Sequence, residues 1–276
     1  MSNPMKVTVI ETGRVILPAP GIYKDDTAKY PWAMATMFNS HDKLLDLPVY
    51  AFLVEHPNGK KILFDAGWSS TVRTHPWRDM GLAHLADEAI LPPGTCIDER
   101  LAAMGIKPED LDYVIPSHLH LDHAGGLRDV KGAKKFLVAE EERKAAGHGN
   151  LVDYRRRHWK GLKLETFSFS DSDLGPKKKA YDLFGDGSIQ LILTPGHTDG
   201  SVSMLIRSDG KQLLLIGDSA YSEHAWKDDA VPGIMTDPEN IHKTFAWFRE
   251  FNETAEGLIG IISAHDGDLV SKYYEF

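Results

Sequence analysis

The sequence predicts a layered α/β or α+β protein, and three observations carry that prediction. Short β-rich runs recur along the whole chain, helix candidates with start and stop signals fall between them, and glycine-containing turns join several runs. The runs are Val7 to Ile10, Val49 to Val54, Lys61 to Phe64, Tyr113 to Ile115, Lys135 to Val138, Ile189 to Leu193, Ser201 to Ile206, Gln212 to Ile216 and Leu258 to Ile262, most of them bounded by Gly, Pro or Asp. Pro57-Asn58-Gly59 and Ser208-Asp209-Gly210 read as hairpin turns.

The helix candidates are Asp98 to Met104 stopping at Gly105, Glu140 to Ala146 stopping at Gly147, and Pro238 to Phe251. The last has Asp237 placed as N-cap and Pro238 at the first helical position, where a missing N–H costs nothing. Its Ile241, Phe245, Phe248 and Phe251 recur at helical spacing and form an apolar stripe suited to packing on a sheet. At about 150 residues per domain, 276 residues allow one large domain or two small ones. No Ser/Gly- or Pro-rich linker and no fixed-period repeat divides the chain, so one domain spanning 1–276 is expected.

With 42% apolar and 26% charged residues the chain resembles ordinary soluble globular proteins. The net charge of -9, from 31 basic and 40 acidic residues, repels phosphate backbones, so nucleic acid is not an expected partner. The basic runs Arg155 to Lys160 and Lys177 to Lys179 read as solvated faces. A lone cysteine, Cys96, can form neither an internal disulfide nor a thiolate metal cage, which favours a cytoplasmic location. Met1 to Leu17 is interrupted by Lys6, Glu11, Thr12 and Arg14 and reads as a first strand instead of a signal peptide. The longest apolar runs, Leu213 to Gly217 and Gly257 to Ile262, fall far short of the roughly 18 residues of a membrane span.

The informative segment is Ser117-His118-Leu119-His120-Leu121-Asp122-His123-Ala124-Gly125-Gly126, which follows the strand candidate at Tyr113 to Ile115 and Pro116. In an extended backbone, His118, His120 and Asp122 would share one face while His123 begins a turn. Imidazoles and carboxylates together suit Zn²⁺ and its neighbours, whereas Ca²⁺ and Mg²⁺ prefer all-oxygen sites. An isolated histidine is usually just a hydrogen-bonded residue, and His148, His158, His224 and His242 read as structural or surface groups. Here, however, further ligand types follow three later apolar runs, at His197, Asp218 and His265. Strand ends of this kind are where binding sites gather on such scaffolds.

This pattern resembles the metallo-β-lactamase superfamily, whose His-x-His-x-Asp-His is followed by a later His, an Asp and a final His. Phe64-Asp65-Ala66-Gly67 is similar to that superfamily's strand-end Asp-x-Gly, which supports the site from behind. The resemblance runs from about Val7 to the C-terminus. It implies an αββα sandwich with two metal ions at one edge of its two sheets. His118, His120 and His197 would then bind one ion, Asp122, His123 and His265 the other, and Asp218 both. Zn²⁺, two ions per chain, is the expected cofactor, with Co, Mn or Fe compatible with the same ligands. Two such ions can share a water and lower its pKa from 15.7 towards roughly 7, which supplies a nucleophile without Ser or Cys. Consistently, no Gly-x-Ser-x-Gly elbow is present.

Asp218-Ser219-Ala220-Tyr221 looks like the Asp-x-x-Tyr of the N-acyl-homoserine lactonases, and the ending His265-Asp266 followed by Lys272-Tyr273-Tyr274-Glu275 is also similar to that family. The resemblance implies hydrolysis of the lactone ring of N-acyl-homoserine lactones, the chemistry of quorum quenching. A metal-bridging hydroxide would attack the carbonyl, Tyr221 would stabilise the oxyanion, and Asp122 would carry a proton to the leaving alkoxide. Taken alone, Tyr221 reads equally as a packed aromatic. The alternatives are another lactone (pyridoxolactone-like), an ester, a glyoxalase-type thioester, or a metal-binding scaffold without turnover. Leu121, between two ligands, is expected at the pocket mouth. The apolar segment Trp32 to Phe38, with Trp32 and Met34 as candidate substrate contacts, reads as an acyl-chain groove, a homodimer contact or a loop over the core.

Overall fold

A computed structural model describes residues 3–24, 43–148 and 154–276. Trp32 and Met34 lie outside the described residues. One sheet contains β1 (Lys6–Pro18), β2 (Leu44–Glu55), β3 (Lys61–Phe64), β4 (Glu88–Ile90), β5 (Tyr113–Ile115), β6 (Phe136–Ala139), β7 (Leu164–Phe167) and β14 (Tyr273–Glu275). Its order is β14-β1-β2-β3-β5-β6-β7, with β4 paired to β1. The other contains β8 (Ser170–Asp171), β9 (Lys179–Asp182), β10 (Ile189–Leu193), β11 (Val202–Ser208), β12 (Lys211–Gly217) and β13 (Leu258–Ser263), in the order β13-β12-β11-β10-β9-β8.

The two sheets face each other across one apolar layer, and each carries helices on its outer side. Alternation along single strands shows why. In β12, Leu213 and Leu215 point between the sheets, whereas Leu214 and Ile216 point outward under the helix Pro238–Thr254. In β3, Ile62 and Phe64 face inward and Leu63 faces the helix Ile97–Ala103. Because both faces are covered, these strands read as near-continuous apolar runs. Ile241, Phe245, Phe248 and Phe251 are all buried on the second sheet, as their spacing predicts, and each contributes about 1.5–3 kcal/mol through burial. Asp237 caps that helix by accepting from Asn240 N at 3.0 Å. The layers are helix, sheet, sheet, helix: the αββα sandwich.

Both expected hairpins form, β2 to β3 and β11 to β12. The strands that sequence patterning passed over are β4, β7, β8, β9 and β14. Of these, β7, β8 and β14 are sheet edges, and all five are short, partly exposed and polar enough to lose the period-2 signal. The basic run at Arg155 to Lys160 is only partly a solvated face. Arg157 Nε lies 2.7 Å from Asp79 Oδ1, and His158 is buried with Nε2 3.0 Å from the Asp79 carbonyl. No helix among the described residues is long and apolar enough to cross a membrane.

Candidate metal centre

The site collects the ends of strands from both sheets. His118 and His120 follow β5, His197 follows β10, Asp218 follows β12 and His265 follows β13. β12 and β13 run parallel, with Gly217 opposite Ser263, so Asp218 and His265 emerge side by side. One expectation fails here. The backbone does not stay extended through the motif, because Leu121–Ala124 forms a helical turn with His120 at its N-terminal boundary. Asp122 therefore leaves the His118/His120 face and turns towards His265, with His265 Nε2 3.3 Å from Asp122 Oδ2. His118, His120 and His197 form one cluster of possible ligands, His118, His123 and Asp218 a second, and Asp122, His123 and His265 a third.

Proton bookkeeping shows what the first cluster needs. His197 Nδ1 is 3.1 Å from the Ile234 carbonyl, which can only accept, so a neutral ring carries its proton on Nδ1. The Ser117 hydroxyl donates to Asp65 Oδ2 at 2.9 Å, so at 3.0 Å it must accept from His118 Nδ1. Both Nε2 atoms are then lone pairs, and they face each other at 3.2 Å, with His120 Nδ1 3.0 Å from His197 Nε2. Burial drives His118 well below the usual imidazole range and both His120 and His197 down to about 4, so the rings stay neutral. Converging neutral nitrogens, with the His118 and His197 Nε2 atoms both unprotonated, fit a divalent metal ion.

The remaining ligands carry the opposite electrostatics. His123 Nδ1 lies 2.9 Å from Asp65 Oδ2, and its Nε2 lies 3.1 Å from Asp218 Oδ1; both of those last atoms are buried with no satisfactory hydrogen bond. His265 Nδ1 donates to the Pro48 carbonyl at 2.7 Å, while its Nε2 is 3.2 Å from Asp218 Oδ1. Burial pulls His265 down, but Asp218 and Asp122 outweigh it and raise it to about 10; His123 is likewise raised well above its ordinary value by Asp218, Asp65 and Asp122. The buried Asp218 and the partly exposed Asp122 carboxylates thus demand positive charge between them, and a divalent cation supplies it by displacing ring protons.

Asp65 is the support expected behind the site. It is fully buried, adopts φ of 62°, and accepts from Ser117 N at 2.6 Å as well as from His123. Gly67, two residues on, has φ of +67°, and an added Cβ would lie 2.1 Å from Thr12 Oγ1, so only glycine fits. Tyr221 is buried between the clusters, its ring edge-on to His197 at 5.8 Å and 5.5 Å from the His265 ring. It lines a pocket with Val15, Leu17, Ile22, Trp68 and Leu121. Sequence reasoning missed Ser117 as a proton acceptor, the Pro48 and Ile234 carbonyls and Glu142. Carbonyls leave no residue-type signal, and Glu142 is one of three adjacent glutamates. Glu142 is fully buried, and burial raises it to about 7 against the donors Thr198 and Leu119 N.

A family model described as the metallo-beta-lactamase superfamily matches residues 44–251. The chain is 31% identical over 239 residues to the N-acyl homoserine lactonase AttM of Rhizobium radiobacter, covering 83% of this chain and 85% of that one. It is 32% identical over 206 residues to the N-acyl homoserine lactonase AiiA of Bacillus thuringiensis subsp. kurstaki, covering 71% and 73%. A solved structure of an N-acyl homoserine lactone hydrolase, with the product N-hexanoyl-L-homoserine at its catalytic metal centre, superposes with a TM-score of 0.76 at 25% identity, covering 97% of this chain and 95% of that one. The chain belongs to the metallo-beta-lactamase superfamily and, within it, to the family of the N-acyl homoserine lactonases.

Proposed function

We propose that this protein is a metal-dependent hydrolase that opens the lactone ring of N-acyl-homoserine lactones, acting as a single domain over residues 1–276. The observation that carries the reading is the convergence of three neutral imidazole nitrogens beside the Asp218 and Asp122 carboxylates, against a pocket walled by apolar side chains and Tyr221. The AttM and AiiA relatives support the substrate class. His118, His120 and His197 are assigned to one zinc ion, Asp122, His123 and His265 to a second, and Asp218 to both. Bound there, such a pair supplies Lewis acidity and a water whose pKa falls to roughly 7.

The chain's own groups do the rest. Tyr221 donates its hydroxyl proton towards the carbonyl oxygen as negative charge develops there. Val15, Leu17, Ile22 and Trp68 wall the pocket with apolar surface and exclude bulk water from the reacting ester. Water adds to the carbonyl carbon as the Asp122 carboxylate takes up its proton, the ring C–O bond breaks, and Asp122 passes that proton to the departing alkoxide, giving the N-acyl-homoserine. A cytoplasmic location and a homodimer complete the reading.

The test is proton release by zinc-loaded protein against acyl-homoserine lactones, simple lactones, a pyridoxolactone and a glutathione thioester. Turnover confined to acyl-homoserine lactones is the expected result. Reaction of only the thioester or another lactone would overturn the substrate assignment and leave the metal site standing.

A further inference from the structure

Beneath the three-histidine cluster lies a fully buried carboxyl that touches none of the three rings. Glu142 sits in the first turn of the helix Glu140–His148, which directly follows β6. Its Oε1 accepts from Leu119 N at 2.8 Å, the peptide between His118 and His120. Its Oε2 accepts from Thr198 Oγ1 at 2.6 Å, the residue directly after His197. Ser201 Oγ, 2.7 Å from Thr198 Oγ1, extends the chain of hydroxyls and also accepts from Thr198 N at 3.2 Å. The loop that carries His197 presses flat against this helix start: a Cβ on Gly200 would lie 2.0 Å from Glu142 N.

One side chain therefore spans two loops that come from different sheets and are far apart in sequence. A buried carboxyl is costly to desolvate, and it is retained at low cost only when donors surround it, as they do here. Its two acceptor atoms fix how far the His118–His120 loop stands from the His197 loop, and that distance decides whether three ring nitrogens converge on a point. We infer that Glu142 is a positioning residue, setting the spacing of the two histidine loops and thereby the metal affinity of the His118/His120/His197 cluster. The inference rests on the metal-centre reading above.

The test is zinc titration of metal-free protein in competition with a chromophoric chelator, for the wild type, Glu142→Ala, Glu142→Gln and Thr198→Val. Partners that orient metal ligands typically change affinity about 10–100-fold when removed. Glu142→Ala should weaken one zinc-binding step by that factor and leave the other unaltered. Glu142→Gln keeps an acceptor for Leu119 N and should recover most of the loss, and Thr198→Val, which cuts one arm only, should weaken the same step by less. Both steps unchanged, both weakened alike, or Gln as damaging as Ala would overturn the inference. If Glu142→Ala does not fold, the Gln and Thr198→Val proteins carry the comparison. A wild type that takes up no zinc would instead overturn the metal centre itself.

Discussion

The Nε2 atoms of His118 and His197 face each other at 3.2 Å while each ring's Nδ1 is held by another group, the Ser117 hydroxyl and the Ile234 carbonyl. Two lone pairs at that distance repel unless a cation lies between them. Metal removal should therefore destabilise the fold as well as abolish turnover. Binding at about a thousand times Kd is worth roughly 4 kcal/mol, and at about 2–4 °C per kcal/mol for a chain of this size the melting temperature should fall by roughly 10 °C on chelation. Calorimetry with and without chelator, then with zinc restored, checks it. An unchanged melting temperature would mean that the nitrogens are satisfied without metal.

Tyr221 sits edge-on to His197 and beside His265, with its hydroxyl the one donor that Tyr221→Phe removes while keeping the ring packing. That substitution should lower kcat by one to three orders of magnitude, the usual loss for one oxyanion donor, with bound zinc per chain unaltered. Steady-state kinetics alongside metal analysis separates the two quantities. Wild-type turnover would take Tyr221 out of the reaction and leave it a packed aromatic.

Leu121 is buried in the pocket wall between two proposed ligands, and the neighbouring Val15, Leu17 and Ile22 give that wall an apolar character. A guanidinium there must either reach solvent across the pocket or be buried unpaired. Leu121→Arg should therefore depress kcat/KM for long acyl chains several-fold more than for short ones. Equal losses across a chain-length series would place the acyl chain elsewhere.

The grouping of the candidate ligands was largely legible in the sequence because they are short-range signals, most of them following an apolar run that becomes a strand. Asp65 was legible for the same reason. The failure at Asp122 has a physical cause: whether Leu121–Ala124 stays extended or closes into a turn depends on tertiary packing, since Gly125 and Gly126 lie against the 66–69 backbone too closely for any Cβ. Local pattern carries no trace of that contact. Glu142 was hidden among Glu140 and Glu141 because only the fold decides which of three adjacent carboxylates points inward. The edge strand β8 and its neighbour β9 were hidden for the opposite reason, since β8 is exposed, β9 is only partly covered, and nothing forces an apolar period on them.

His158 yields a prediction away from the metal ligands. It is buried, with Nε2 donating to the Asp79 carbonyl at 3.0 Å, and burial lowers it from 6.5 to about 4. The unfolded chain therefore takes up a proton as pH falls below about 6.5, whereas the folded chain does not until about 4. More protons on the unfolded state mean that stability drops as pH falls through that window, by about 1.4 kcal/mol per pH unit from this one group. His158→Gln keeps an N–H for the carbonyl but cannot titrate. Between pH 6.5 and 4 its unfolding free energy should thus fall less steeply than that of the wild type, by close to that slope, and urea denaturation of the metal-free proteins across the range measures the difference. Parallel slopes would mean that His158 is already charged, or freely hydrated, in the folded protein.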